Sequence, residues 1–248
     1  SLFFCLVARN DGHQFIETAY RKGIRNFIVS QTIDITTYPE ANFIWVQDTT
    51  ASLQKLAKHH REQFNIPVIG ITGSNGKTIV KEWLFQLLTS EKNIVKSPKS
   101  YNSQVGVPLS VLNMEKENEL AIFEAGISTI GEMENLQIII QPSIGILTNI
   151  GSAHDAGFSS TEEKIKEKLK LFEGCGAVIY SDKYLAEFQI SDFRFQIVSS
   201  GENKNSTVVI KQKEKKNNVT VIEINSSQFN IHHSTFNIPF TDEASIEN

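Results

Sequence analysis

Apolar and polar residues alternate along this chain in two rounds. The first round covers residues 1–48. "SLFFCLV", "NFIVS" and "NFIWVQD" are short apolar runs of strand length. Between the first two, "HQFIETAYRKG" places Phe15, Ile16, Ala19 and Tyr20 on one helical face and ends on Gly23. "TTASLQKLAKHHREQF" then reads as a long helix with a Thr start, and "NIP" at 65–67 breaks it. A domain boundary is expected there, giving units 1–65 and 66–248.

The second round is longer. "PVIGITG", "NIVKSP", "LAIFEAG", "SIGILTNI" and "AVIYSD" read as strands. Helical stretches at 77–90, 103–113, 130–140 and 161–173 separate them. Near-continuous Ile/Val/Leu strands alternating with helices predict an α/β domain whose mainly parallel sheet is covered on both faces. From about residue 194 the pattern changes to short strands with polar turns, "FQIVSS", "STVVIKQ", "NVTVIEIN" and "STFNIPF". These predict an antiparallel extension of the same sheet. The run "KQKEKKNN" reads as a solvated hairpin tip.

Composition narrows the classes. A hydrophobic content of 40% with 21% charged residues suits a globular chain with a real core. Lys plus Arg number 24 against 28 Asp plus Glu, a net charge of −4, which argues against a nucleic-acid partner held by bulk charge. Cys5 and Cys175 lie far apart and form neither a metal spacing nor a disulfide framework, which fits a reducing cytoplasm. No apolar run reaches the ~18 residues of a membrane span. The chain starts abruptly on a strand without Met, so further chain is expected before it.

The chemistry begins at "ITGSNGKT", residues 71–78. The common phosphate loop has Gly-x-x-x-x-Gly-Lys-Ser/Thr; here the pattern is Gly73-x-x-Gly76-Lys77-Thr78, and position 71 is Ile. The context is nevertheless strand, glycine turn, helix. Gly73 and Gly76 allow close backbone approach and unusual φ, as Asn75 also does. The helix start offers amides to an anion, Lys77 reaches terminal phosphates, and the Thr78 hydroxyl suits Mg²⁺. Glu124 ends a predicted parallel strand, where sites of open α/β sheets lie, and a carboxylate there suits Mg²⁺. Asn149 and His154 follow the next strand; His154 reads either as a structural histidine or as a metal ligand.

In "SSTEEKIKEKLKLF", Ser160 and Glu163 form a capping box. At ~100° per residue, Ile165, Leu169, Leu171 and Phe172 share an apolar face, with Lys164, Lys166 and Lys170 pointing away. Lys168 falls inside that face. It reads either as a snorkelling lysine or as a partly buried amine of lowered pKa, able to take up CO₂ as a carbamate.

The loop resembles the ATP site of the Mur ligases, the ATP-dependent amide-forming enzymes of peptidoglycan synthesis, in which Gly-x-x-Gly-Lys-Thr/Ser is usual. The resemblance implies a three-domain enzyme, with residues 1–65 in a UDP-sugar-binding domain and 66–248 in the ATP-binding domain. It implies that Gly73, Ser74, Asn75, Gly76, Lys77 and Thr78 bind ATP. Thr78, Glu124, His154 and a carbamylated Lys168 would arrange two Mg²⁺, with Lys77, His154 and Lys168 as the catalytic side chains.

Within the family, "SLFFCLVARNDGHQFI", "YNSQVGVPLSVL" and "NIGSAHDAGFSSTEEKIKEKLKLF" are similar to the MurF type, which adds D-Ala-D-Ala to UDP-MurNAc-tripeptide. The pair "YNSQVGVPL" and "EKLKLF" is similar to members fused to an alanine racemase. Arg9 and His13 would contact the UDP-sugar; Asn102 and Gln104 would face substrate. Departures occur at Asn102-Ser103-Gln104, at Tyr180, and at Ala244-Ser245, where a His-Asn pair is usual; Asn248 is kept for the adenine. A third, C-terminal ligase domain is expected beyond residue 248, so that the chain alone would have little activity. The competing readings are another ligase of the superfamily, MurE-like, and a nucleotide-dependent regulatory module; the Asn-Lys-x-Asp signature of switch GTPases is absent from the sequence.

Overall fold

The two rounds of apolar alternation build two separate sheets in the computed structural model, which describes residues 1–7, 10–151, 157–185, 196–217 and 219–242. In the first, β1 (Leu2–Phe4), β2 (Asn26–Val29) and β3 (Asn42–Trp45) pair in parallel, in that order. The stretch expected as one helix is a 3₁₀ turn (Gly12–Phe15) running into α1 (Ile16–Arg21), and Gly23 ends it at φ 89°. Cys5, Ile16, Ala19, Phe27 and Val29 make a small core, with Phe27 stacked on Phe43 at 5.1 Å.

Helix α2 (Thr49–Arg61) is capped by the Asp48 carboxylate, which accepts from the amides of Thr50 and Ala51. Its Thr49 hydroxyl donates to Cys5 O in the small unit. Its other end belongs elsewhere: Ala57 joins the large core, and the buried Arg61 donates to the carbonyls of Ile140 and Gln141. α2 therefore ties the two units together rather than merely closing the first.

The second sheet has nine strands in the order β12-β11-β10-β9-β8-β7-β4-β6-β5. β4 (Val68–Thr72) and β6 (Leu120–Glu124) are buried at every position, as their unbroken apolar runs require of strands covered on both faces. β5 (Ile94–Lys96), β7 (Ile144–Leu147) and β8 (Ala177–Ser181) complete the parallel part, joined through α3 (Lys77–Leu88), α4 (Gly106–Val111), α5 (Glu132–Ile140) and α6 (Thr161–Leu169). The antiparallel extension starts one strand later than the pattern change suggests. β9 (Gln196–Gly201) still runs parallel to β8, as the more than a dozen residues of chain between the two strands permit. Only β10 (Val208–Lys216), β11 (Val219–Ser226) and β12 (Ile231–Ile238) pair antiparallel to one another. The charge run lies along β10 into the turn at Asn217 (φ 52°), with Lys211, Lys213, Glu214 and Lys215 exposed. Past β12 the chain returns over α3, where Phe240 stacks on Trp83 at 5.1 Å.

The chain crosses from one side of β4 to the other between β6 and β7. Such a reversal opens a crevice at the carboxyl ends of the strands, and Lys77, Thr78, Glu124 and Lys168 gather there.

Candidate active site

β4 delivers its C-terminal end directly into the glycine turn. Gly73 holds φ 147°, and a Cβ there would fall on the Thr148 hydroxyl and press on the Asn149 backbone. Gly76, not Asn75, takes the left-handed turn, at φ 82°, immediately before α3. The turn is fastened to the loop after β7: the Ser74 amide donates to Asn149 O (2.8 Å), the Asn75 amide to Asn149 Oδ1 (2.8 Å) and the Ser74 hydroxyl to Gly151 O (3.1 Å). Those two amides are thus engaged, and the first turn of α3 is what remains to face an anion, since its amides have no acceptor within the helix. Gly73→Ala is expected to lower nucleotide affinity by about tenfold or more, measured by titration calorimetry; unchanged affinity would show that the turn does not hold the phosphates.

Lys77 folds back over this turn, donating to Gly73 O (2.8 Å) and Ser74 O (3.4 Å). Burial lowers its pKa, and the nearby Glu124 charge opposes that shift. Lys168 of α6 reaches the same carbonyl, Gly73 O, at 3.3 Å. It is 1% exposed. Burial first, then repulsion from Lys77 and Lys164, lowers its pKa to about 8. Lys168 is therefore not a snorkelling lysine.

Glu124 is fully buried at the end of β6, in register with Ile71 of β4 and so one strand from the phosphate loop. Its Oε2 accepts from the Thr78 hydroxyl (3.0 Å) and lies 3.5 Å from Asn102 Nδ2. Its Oε1 makes no hydrogen bond and faces the ammonium of Lys81 at 2.8 Å as an ion pair. Lys81 is fully buried and was not anticipated. The signal available was spacing: it follows Thr78 by one helical turn in "KTIVKEW", so both reach the same carboxylate.

Helix α6 departs from its expected face in one respect. Ile165, Leu169, Leu171 and Phe172 are buried as anticipated, and Lys166 is exposed beside Glu162. Lys164 does not point away. It is 1% exposed and donates to Gly151 O, because it sits one turn before Lys168 on the side facing the loop after β7. Lys170 pairs with Glu134 (2.6 Å) and Glu167 (2.9 Å), and the buried Glu167 accepts from the Gly131 and Met133 amides at the start of α5. The capping box is also shifted: Ser160 accepts from the Glu163 amide, while the Glu163 carboxylate returns to Ser159.

His154, Arg9 and Asn248, with Ala244 and Ser245, lie outside the described residues. His13 is spent locally: its Nδ1 is 2.6 Å from Asp11 Oδ1, and its Nε2 accepts from the Ser30 amide at 2.9 Å. Gln104 links α2 to α5, receiving from Gln54 Nε2 (3.0 Å) and donating to Glu132 O (2.9 Å). Tyr180 stands on β8, its hydroxyl pKa raised by burial and by Asp182. Among the described residues no cluster of three His, Cys, Asp or Glu side chains forms a ready cage for a metal. The donors at Glu124 are instead one carboxylate and one hydroxyl, hard oxygens that suit Mg²⁺.

A loop, a carboxylate and a buried amine on one sheet edge fit phosphoryl chemistry, and comparison with known proteins supplies the family. The Mur ligase middle-domain model matches residues 71–248. The chain belongs to the Mur ligase family. A Mur ligase of Bacillus subtilis, UDP-N-acetylmuramoyl-tripeptide–D-alanyl-D-alanine ligase, is 34% identical over 69% of this chain and 38% of its own length. The ligase of the same name from Buchnera aphidicola is 33% identical over 93% of this chain and 50% of its own length. Among solved structures, MurF from Acinetobacter baumannii superposes with a TM-score of 0.88 at 26% identity, covering all of this chain and 54% of that one. The chain thus spans about half the length, or less, of the Mur ligases it matches. No helix among the described residues is long and apolar enough to cross a membrane.

Proposed function

We propose that this chain is the nucleotide-binding part of a MurF-type ligase, which joins D-Ala-D-Ala to UDP-MurNAc-tripeptide at the expense of ATP. On this reading residues 1–65 form the UDP-sugar domain and 66–248 the ATP domain, a C-terminal ligase domain belongs to the same protein, and the reaction takes place in the cytoplasm. The observation that carries the reading is the meeting of Lys77, Thr78, Glu124 and Lys168 around Gly73 O and one carboxylate.

The chemistry asks an anionic carboxylate to approach an anionic triphosphate. One oxygen of the tripeptide's terminal carboxylate forms a bond to the γ-phosphorus as the bond to ADP breaks, leaving an acyl phosphate. The dipeptide amine then bonds to the acyl carbon, phosphate leaves, and the nitrogen loses a proton. The turn from Gly73 to Thr78 would hold the phosphates, with the helix start and Lys77 supplying positive charge as it develops. Thr78, Glu124, His154 and the carbamate of Lys168 would hold two Mg²⁺; bound Mg²⁺ supplies charge neutralisation between nucleotide and carboxylate. The neutral amine of Lys168 adds to CO₂ and releases a proton, and its pKa of about 8 leaves roughly one molecule in ten neutral near pH 7.

Product analysis on the full-length protein tests this. ADP and phosphate are expected only when the UDP-tripeptide and D-Ala-D-Ala are both present. Turnover with a free amino acid in place of the dipeptide would point to a MurE-like ligase, and hydrolysis without either substrate to a regulatory module.

A further inference from the structure

Lys81 is a fully buried charge that this reaction scheme leaves unused. Its ammonium carries three protons. It meets Glu124 Oε1 at 2.8 Å, Ser97 O at 2.9 Å, the Lys99 carbonyl, and Glu82 Oε1 at 3.2 Å. Those partners fix it from three sides: α3 carries it, β6 carries Glu124, and the turn after β5 carries the two carbonyls. The turn is itself anchored, since Ser97 Oγ accepts from the Glu124 amide (3.1 Å) and Ser97 N donates to Ile122 O (3.0 Å). Neither Lys81 nor Glu124 has any exposed side-chain surface. A buried ion pair costs desolvation and is poor evidence of stabilisation for its own sake, so its use has to be sought in geometry.

The geometry divides the carboxylate. Oε1 belongs to Lys81, whereas Oε2 is turned to Thr78 and Asn102, the side on which the phosphate loop lies. We propose that Lys81 is a positioning residue that withholds one oxygen of Glu124, so that the site presents a single carboxylate oxygen and prefers a small divalent cation such as Mg²⁺ over a larger one such as Ca²⁺. This rests on the reading of Glu124 as a metal ligand. The physical basis is the difference between the ions. Mg²⁺ demands near-octahedral geometry and is commonly held through one carboxylate oxygen, whereas Ca²⁺ accepts more oxygens and bidentate carboxylates. A carboxylate with both oxygens free would favour the larger ion; one oxygen bound to an ammonium removes that option.

The test is direct metal binding, not turnover. Mg²⁺ and Ca²⁺ are titrated separately by calorimetry onto the intact protein carrying a non-hydrolysable ATP analogue, for the wild type, Lys81→Met and Lys81→Arg. The ratio of Ca²⁺ to Mg²⁺ affinity is expected to rise at least about tenfold in Lys81→Met and to stay near the wild-type value in Lys81→Arg, which retains a cation. A folded Lys81→Met with an unchanged ratio overturns the proposal. If Lys81→Met does not fold, a crystal structure of the wild type with Mn²⁺ and the analogue decides: Glu124 binding through one oxygen, with Lys81 still on the other, supports the proposal, and a bidentate Glu124 or a displaced Lys81 overturns it. Absence of any metal at Glu124 in the wild type would instead defeat the underlying metal-site reading.

Discussion

Lys168→Met is expected to abolish nearly all turnover of the full-length ligase while making the fold more stable. The two effects share one cause. The Lys168 amine is almost fully buried, lies 3.3 Å from Gly73 O, and has Lys77 and Lys164 as cationic neighbours. An ammonium in that position is disfavoured by burial and by like charge, which brings its pKa down from 10.5 to about 8. Near pH 7 the folded protein carries that penalty, on the order of 1–3 kcal/mol, and Met, of similar length and no charge, removes it. The sign with pH follows. Between about 8 and 10.5 the unfolded chain holds a proton that the folded chain has released, so wild-type stability climbs with pH across this window. In Lys168→Met that climb should be missing. Denaturant unfolding in CO₂-free buffer on either side of the window measures both effects. Turnover should fall on the order of a hundredfold or more, and added bicarbonate should not restore it, since Met has no amine to carbamylate. Undiminished turnover would remove Lys168 from the mechanism, and a less stable variant would show that the burial argument is mistaken.

The reasons why some of this was legible in the sequence and some was not are physical. Strands buried on both faces write themselves as unbroken apolar runs, so β4 and β6 could be read at once, and the glycines before α3 marked the turn. Lys168 was legible because a lysine interrupts a helical apolar face at fixed spacing. Lys164 escaped because the buried side of α6 is wider than its apolar side: two lysines one turn apart face polar backbone, at Gly151 O and Gly73 O, rather than solvent. Lys81 escaped for a different reason. Its partners, Ser97, Lys99 and Glu124, come from other strands, and no local pattern encodes a contact across the sheet. β9 was misassigned because a short strand after a polar stretch looks the same in sequence whether it pairs parallel or antiparallel; the crossover before it decides. The local partners of His13 were not legible either. A polar loop histidine next to Asp11 suggests a ligand contact, yet both ring nitrogens are occupied within the small unit.

Glu124→Gln is expected to cost the fold about 3–5 kcal/mol. The amide is nearly isosteric with the carboxylate, so packing is preserved and the loss isolates charge. It leaves the Lys81 ammonium buried with no full counter-charge on that side, its remaining acid neighbour being the partly exposed Glu82 at 3.2 Å. Removing one partner of a buried pair is costly for this reason, whereas removing both is often tolerated. The double variant Glu124→Gln/Lys81→Met should therefore recover most of the lost stability, and Lys81→Met alone should be destabilised by its unpaired carboxylate. The four proteins form a cycle whose coupling term, read from denaturant midpoints at constant slope, measures the pair itself. Thr78→Ala supplies a scale, since it deletes one hydrogen bond to a charged oxygen and should cost about 1.5–3 kcal/mol. Turnover is expected to separate from stability in this series: the double variant, although folded, should remain inactive because the carboxylate that would hold Mg²⁺ is gone. A Glu124→Gln protein as stable as the wild type would mean that the 2.8 Å contact with Lys81 is not an ion pair in solution; an active double variant would mean that Glu124 is structural and that the metal is held elsewhere on the edge.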